Sequence, residues 1–169
     1  MRVIMIVPFV FCMLSDLVPH RFLWAFLLFV TASLTDMLDG YLARRDNLVT
    51  NFGKFMDPLA DKLLVCSAMI CLVDMSRIPS WIVIIIIGRE FVISGFRLIA
   101  SDNGVVIAAN YWGKCKTVCQ MFMIIILIAN LGGGFVIVEQ ILIYASLILT
   151  VISLITYLWQ NRSVLSMQE

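Results

Sequence analysis

Charge is scarce in this chain. Only 14% of its 169 residues are Asp, Glu, Lys or Arg, against about a quarter in an ordinary soluble domain. There is one histidine, and none of the five cysteines (Cys12, Cys66, Cys71, Cys115, Cys119) stands in a CxxC pair. That excludes a zinc or disulfide framework, and free buried thiols are the ordinary reading. A net charge of +1 gives no electrostatic footprint of a nucleic-acid partner. Internal repeats and low-complexity segments are absent. The opening apolar run lacks a small-residue cleavage site and leads into more apolar sequence, so it does not read as a cleavable signal.

What the chain has instead is hydrophobicity: 62% apolar residues and a mean hydropathy of +1.03. It reads as an integral membrane protein, all-α, with a single bundle domain over residues 1–169. Six apolar segments are expected, at roughly 3–19, 22–43, 55–75, 79–100, 116–132 and 135–159, several of them near the ~20 residues that a spanning helix needs. The first and fifth are short by that measure. Inside lipid every backbone polar group needs an internal partner, which leaves helices as the spanning element. Basic residues set the orientation. With the amino terminus cytoplasmic, Arg2, Arg44, Arg45, Lys54, Arg97, Lys114, Lys116 and Arg162 lie on or near the inner side, against Arg21 and Arg77 outside. Both ends are therefore expected inside.

Local features fit that plan. Pro8 falls within the first span, where neighbouring helices can tolerate it. Pro19-His20-Arg21 and Gly132-Gly133-Gly134 read as outer turns. Ala32, Ser33 and Thr35 permit close helix approach. Glu139 lies near the outer end of the last span, and Tyr157 and Trp159 read as anchors at its inner interface.

One stretch stands out from this apolar background. Asp36, Asp39, Asp57 and Asp61 fall within 26 residues. At 100° per residue, Asp36, Asp39, Gly40 and Ala43 occupy an arc of about 100°, and Gly53, Asp57 and Asp61 one of about 80°. The polar linker from Arg45 to Phe52 can reverse the chain, so two helices are expected to turn an Asp/Gly/Ala face towards each other at the inner side. Asp46-Asn47 marks the end of one helix and Thr50-Asn51 the cap of the next, with Pro58 early enough to be tolerated. Unpaired carboxylates would be costly there. Hard oxygen ligands suit Mg²⁺ or Mn²⁺, and two-metal sites of this kind hold their ions about 3.5–4 Å apart around a phosphoryl centre. The neighbouring glycines let a nucleotide or diphosphate approach the backbone.

Arginines complete the pattern. Arg89 follows seven strongly apolar residues and is a functional candidate by its depth in the membrane. The plain alternative is a structural pair with Glu90 or with an aspartate of the cluster. Arg97 is two turns on and about 80° round, on the same broad side. Lys114 and Lys116 open the fifth span, where simple positive-inside flanking competes with a functional role. Carboxylates, small residues and guanidinium forks at a cytoplasmic interface point to phosphoryl transfer to or from a lipid.

The spacing D-x₂-D-G-x₂-A-R-x₈-G-x₃-D-x₃-D is matched by Asp36, Asp39, Gly40, Ala43, Arg44, Gly53, Asp57 and Asp61. This resembles the CDP-alcohol phosphatidyltransferase family of six-span membrane enzymes. Asp57-Pro-Leu-Ala-Asp61-Lys62, Gly88-Arg-Glu-Phe91 and Gly113-Lys-Cys-Lys116 resemble the branch that forms phosphatidylglycerophosphate. The resemblance implies transfer from CDP-diacylglycerol to sn-glycerol 3-phosphate, with release of CMP. It also implies a homodimer among membrane lipids, in a bacterial cytoplasmic membrane. By the same resemblance Asp36, Asp39 and Asp57 are the principal ligands of two Mg²⁺ or Mn²⁺ ions. Asp61 would complete the second metal site and act as base on the acceptor hydroxyl. Gly40, Ala43, Arg44 and Gly53 would cradle the nucleotide and diphosphate, and Arg89, Arg97 and Lys114 would receive the acceptor's phosphate. Members of this branch open with an interfacial helix resembling N-x-P-N-x-L-T-x-x-R. Only its last arginine has a counterpart here, Arg2, which reads as a truncated chain or a misassigned start.

Three other readings compete. A CDP-alcohol-type cardiolipin synthase shares the D-P-x-A-D-K run, but its acceptor gives less use for Arg89, Arg97 and Lys114. A divalent-cation transporter would also place acids in the membrane, yet no acidic pair continues outward from the cluster. A purely structural protein leaves the four acids without a purpose.

Overall fold

In the computed structural model the described backbone covers residues 2–45, 51–102 and 110–162, and the described side chains cover 4–35, 62–98, 100 and 110–162. All regular structure among these residues is α-helical. The order is α1 (Arg2–Leu14), α2 (Arg21–Arg45), α3 (Asn51–Asp74), α4 (Ser80–Asp102), α5 (Tyr111–Ala129) and α6 (Phe135–Gln160). Each expected segment corresponds to one helix, with the largest boundary shifts at the end of α1 and the start of α5; α3 also begins at Asn51 and not at 55, and α5 ends at Ala129 and not at 132. α1 ends at Leu14, because the polar run Ser15-Asp16 leaves the helix and Asp16 turns to pair with Arg21. α5 starts at Tyr111 rather than at 116, with the Asn110 carbonyl accepting the Lys114 N–H at 3.2 Å. Lys116 can sit inside this helix because its charge has a partner on α4.

By length and composition two helices, α5 and α6, are long and apolar enough to cross a membrane, while 4–14 and 21–35 are shorter apolar stretches. The side-chain distribution also suits a lipid environment. Ile84 is 69% exposed, and Ile4, Leu17, Ile137 and Ile155 are exposed as well. Arg89, Lys116, Gln120, Glu139, Ser146, Thr150 and Ser153 are buried. Apolar surface outside with polar groups inside satisfies a bundle in hydrocarbon and would be a liability in water.

Two compact units can be distinguished. The first holds Met1–Arg77 with Ile124–Leu131. There α1 packs on α2 and α3, with Phe9 against Phe29 at a centroid distance of 5.9 Å. Buried Ala25, Ala32 and Ala68 let the backbones approach, and Met13, Leu64, Leu72 and Leu127 fill the core. α3 closes with Ser76 at φ 57°, which lets the Arg77 N–H reach the Leu72 carbonyl at 2.8 Å, a Schellman-type stop. The Arg77 side chain donates to Asn130 Oδ1.

The second unit holds Ile78–Met123 with Gly132–Glu169. It is built on α4 against α6. The buried face of α6 is Glu139, Ile143, Ser146, Thr150, Ser153 and Tyr157, a repeat of four and three residues that keeps one stripe on the partner. Tyr157 joins Ile93, Phe96 and Ala100 in a cluster flanked by Leu154 and Leu158. It is therefore a core residue and not the interfacial anchor expected from its position, because Phe96 takes its ring edge-on at 5.8 Å. Trp159 is exposed, as an anchor would be. Gly132 and Gly133 at φ 66° and 54° make the turn into α6.

Candidate functional site

The eight motif positions lie on helices. Asp36, Asp39, Gly40, Ala43 and Arg44 occupy the carboxyl-terminal part of α2, and Gly53, Asp57 and Asp61 the first turns of α3. Separations of three and four residues put each aspartate pair on one helical face. The side chains at these positions, and the linker 46–50, lie outside the described residues. Among the described residues no group of three or more His, Cys, Asp or Glu side chains forms a metal site.

The side chains of the cationic positions on α4 and α5 are among the described residues. Arg89 is 8% exposed on α4. Its Nε donates to Ser153 Oγ of α6 at 3.1 Å and its Nη1 to Glu90 Oε1 at 3.0 Å. The pair with Glu90 anticipated as its plain reading is thus present. The same Glu90 oxygen accepts from Lys116 Nζ at 2.5 Å, and Lys116 is only 1% exposed on α5. Lys114 is exposed. Of the two lysines that open the fifth segment, it is Lys116 that joins Arg89 in a buried cluster.

Arg97 also faces α6, with Cζ 5.8 Å from the centre of the Tyr157 ring, within reach of a cation–π contact. It remains exposed at its solvent side. Eight residues separate Arg89 from Arg97 on α4, and their α6 partners Ser153 and Tyr157 are one turn apart, so one helix supports both guanidinium groups. Sequence reasoning missed Ser153, Tyr157 and the buried state of Lys116. The short motif Gly113-Lys-Cys-Lys116 was the signal for the last of these.

The profile of the CDP-alcohol phosphatidyltransferases matches residues 1–152. The chain belongs to the CDP-alcohol phosphatidyltransferase family. Membership bears out the resemblance read from the eight motif positions. The CDP-diacylglycerol–glycerol-3-phosphate 3-phosphatidyltransferase of Bacillus subtilis is 50% identical over 125 residues, 72% of this chain and 65% of that protein. The enzyme of the same name from Rickettsia bellii is 41% identical over 135 residues, covering 78% of this chain and 75% of its own length. A probable phosphatidylglycerophosphate synthase of Mycobacterium tuberculosis is 38% identical over 134 residues, 79% and 63% of the two chains. The match therefore spans less than two thirds of the Bacillus and Mycobacterium proteins. These relatives carry the name of the branch that the Asp57–Lys62, Gly88–Phe91 and Gly113–Lys116 runs resemble.

Proposed function

We propose that this chain transfers the phosphatidyl group of CDP-diacylglycerol to sn-glycerol 3-phosphate, yielding phosphatidylglycerophosphate and CMP. It does so as a homodimer at the cytoplasmic face of a bacterial membrane that each chain crosses six times. The observation that carries this reading is the complete eight-position motif on α2 and α3 in a family member. Relatives named for this reaction support the choice of acceptor.

The donor set fits hard divalent cations, since all four acids are carboxylates paired at helical spacing. Asp36, Asp39, Asp57 and Asp61 would hold two Mg²⁺ or Mn²⁺ ions. When bound, these ions neutralise the diphosphate oxygens and the leaving phosphate of CMP. Gly40, Ala43 and Gly53 leave room along the helices for the nucleotide, and Arg44 offers a fork to its diphosphate. Arg89, Arg97 and Lys114 bind the phosphate of the acceptor. Asp61 takes the proton from the acceptor hydroxyl. That oxygen bonds to the phosphorus bearing diacylglycerol, and the bond from this phosphorus to the CMP oxygen breaks.

The test is incorporation of labelled sn-glycerol 3-phosphate into lipid by the purified chain in detergent micelles. Incorporation is expected only with CDP-diacylglycerol and with Mg²⁺ or Mn²⁺, and EDTA should abolish it until either ion is restored. Labelled phosphatidylglycerol used in preference to glycerol 3-phosphate would replace this reading with cardiolipin synthesis. Full activity after exhaustive chelation would remove the metals from it.

A further inference from the structure

Two of the three nitrogens of the Arg89 guanidinium are already engaged. Nε is held by Ser153 of α6, and Nη1 by Glu90, whose Oε1 also takes Lys116 of α5. The third, Nη2, lies beside the α5 backbone at Gly113, where an added Cβ would come to 3.2 Å from it. Nη2 has no hydrogen-bond partner among the described residues, and it is not one of the fully buried polar atoms left unsatisfied, which are Ser146 Oγ and Tyr157 Oη. This corner of an otherwise enclosed arginine therefore reaches accessible space. Gly113 and Lys116 are three residues apart on α5 and share one face. Both meet the Arg89-Glu90 pair.

We propose that Glu90, Lys116 and Ser153 are positioning residues that hold Arg89 so that Nη2 is the donor it offers to an anionic oxygen. Gly113 keeps that corner open by carrying no side chain. The oxygen belongs to the phosphate monoester of the acceptor, so the inference rests on the acceptor reading above. Fixing Nε and Nη1 settles the long arginine side chain before substrate arrives, and the ordering cost is not charged to binding. The Glu90 carboxylate also holds two buried cations together that would otherwise repel each other. The consequence is a single-point contact from Arg89 in place of a bidentate fork.

Gly113→Ala tests this directly. The new methyl group would stand 3.2 Å from Nη2, so the guanidinium must give by a few tenths of an ångström, against the restraint of its bonds to Ser153 and Glu90, and the corner beside Nη2 is filled. The Michaelis constant for glycerol 3-phosphate should rise by about tenfold or more, the scale of one hydrogen bond to a charged group. The constant for CDP-diacylglycerol should change little. Thermal stability should be kept, because Ala is favoured over Gly within a helix. Should Gly113→Ala fail to fold, Ser153→Ala provides the second reading. It should raise the same constant, and Ser153→Thr, which retains the hydroxyl, should restore it. Arg89→Lys and Arg97→Ala are measured alongside in the full chain. If neither alters the glycerol 3-phosphate constant, the acceptor reading falls and this inference with it. If they raise it while Gly113→Ala and Ser153→Ala do not, the acceptor reading stands and the positioning role is overturned.

Discussion

Asp57 and Asp61 share one face of α3, four residues apart, yet they are assigned different work. In the proposed mechanism Asp57 would serve the metals alone, whereas Asp61 would also move a proton. Asp61→Asn should lower kcat by about 10²–10⁴-fold, the usual contribution of a general base, and leave the Michaelis constant for CDP-diacylglycerol nearly unchanged. Asp57→Asn should damage both. Initial rates against each substrate in micelles separate the two outcomes, and near-normal turnover by Asp61→Asn would reduce that residue to a ligand at most. Arg97 allows a cleaner substitution than Arg89. It lies exposed on the Tyr157 ring, so Arg97→Ala leaves no buried counter-ion behind. Arg89→Ala would strip Glu90 and Ser153 of a partner and confuse binding with folding. Arg97→Ala is expected to raise the Michaelis constant for glycerol 3-phosphate about 10- to 150-fold, the loss of one charge-assisted hydrogen bond. The constant for CDP-diacylglycerol should barely move. If neither constant moves, the acceptor's phosphate binds elsewhere.

At the level of elements, α6 supports the arginines of α4. Its buried stripe carries hydroxyls and not only aliphatic groups. Thr150 Oγ1 donates to the Ser146 carbonyl and Ser153 Oγ to the Thr150 carbonyl, which lets these residues sit in an apolar interior at little cost. Ser146 Oγ and the Tyr157 hydroxyl are the exceptions on this stripe, since both are buried without a partner among the described residues. Tyr157→Phe should therefore leave thermal stability unchanged or raise it, because an unsatisfied buried hydroxyl is a liability. The ring contacts with Phe96 and Arg97 are kept, so the Michaelis constant for glycerol 3-phosphate should hold as well. A clear loss of melting temperature would mean that the hydroxyl has a partner in the native membrane protein. The contrast with Arg89 shows what the sequence can convey. Hydrophobic runs and eight motif positions made the six helices and the aspartate pairs readable, because both depend on spacing along the chain. Ser153, Gly113 and the burial of Lys116 depend on which faces meet across 24 or more residues of sequence. For the same reason Tyr157, placed near a helix end, read as an anchor until Phe96 and Arg97 were seen against it.

For the whole molecule the property to test is topology. α5 and α6 satisfy the length and hydropathy of a span, while α1 has 13 residues and reaches only about 20 Å against a hydrocarbon core of about 30 Å. Local thinning and tilt of neighbours accommodate such a mismatch at modest cost. The charge asymmetry supports six crossings even after the structure is taken into account. Lys116 is buried against Glu90 and no longer counts as a flanking charge, yet Arg2, Arg44, Arg45, Lys54, Arg97, Lys114 and Arg162 still outweigh Arg21 and Arg77. Arg21 and Arg77, which six crossings would place outside, are also held locally, by Asp16 and Asn130. Single cysteines introduced into a cysteine-free background decide the matter. Six crossings place Asp74 and Leu131 outside and Arg162 inside. Two crossings, by α5 and α6 alone, would leave Asp74 on the same side as Arg162. All three side chains are exposed, so a membrane-impermeant maleimide has access wherever the side permits. In intact cells Asp74→Cys and Leu131→Cys should be labelled, and Arg162→Cys only after permeabilisation. Labelling of Leu131→Cys without Asp74→Cys would confine the crossings to the last two helices. It would also put the turn between α3 and α4 on the side assigned here to the catalytic aspartates.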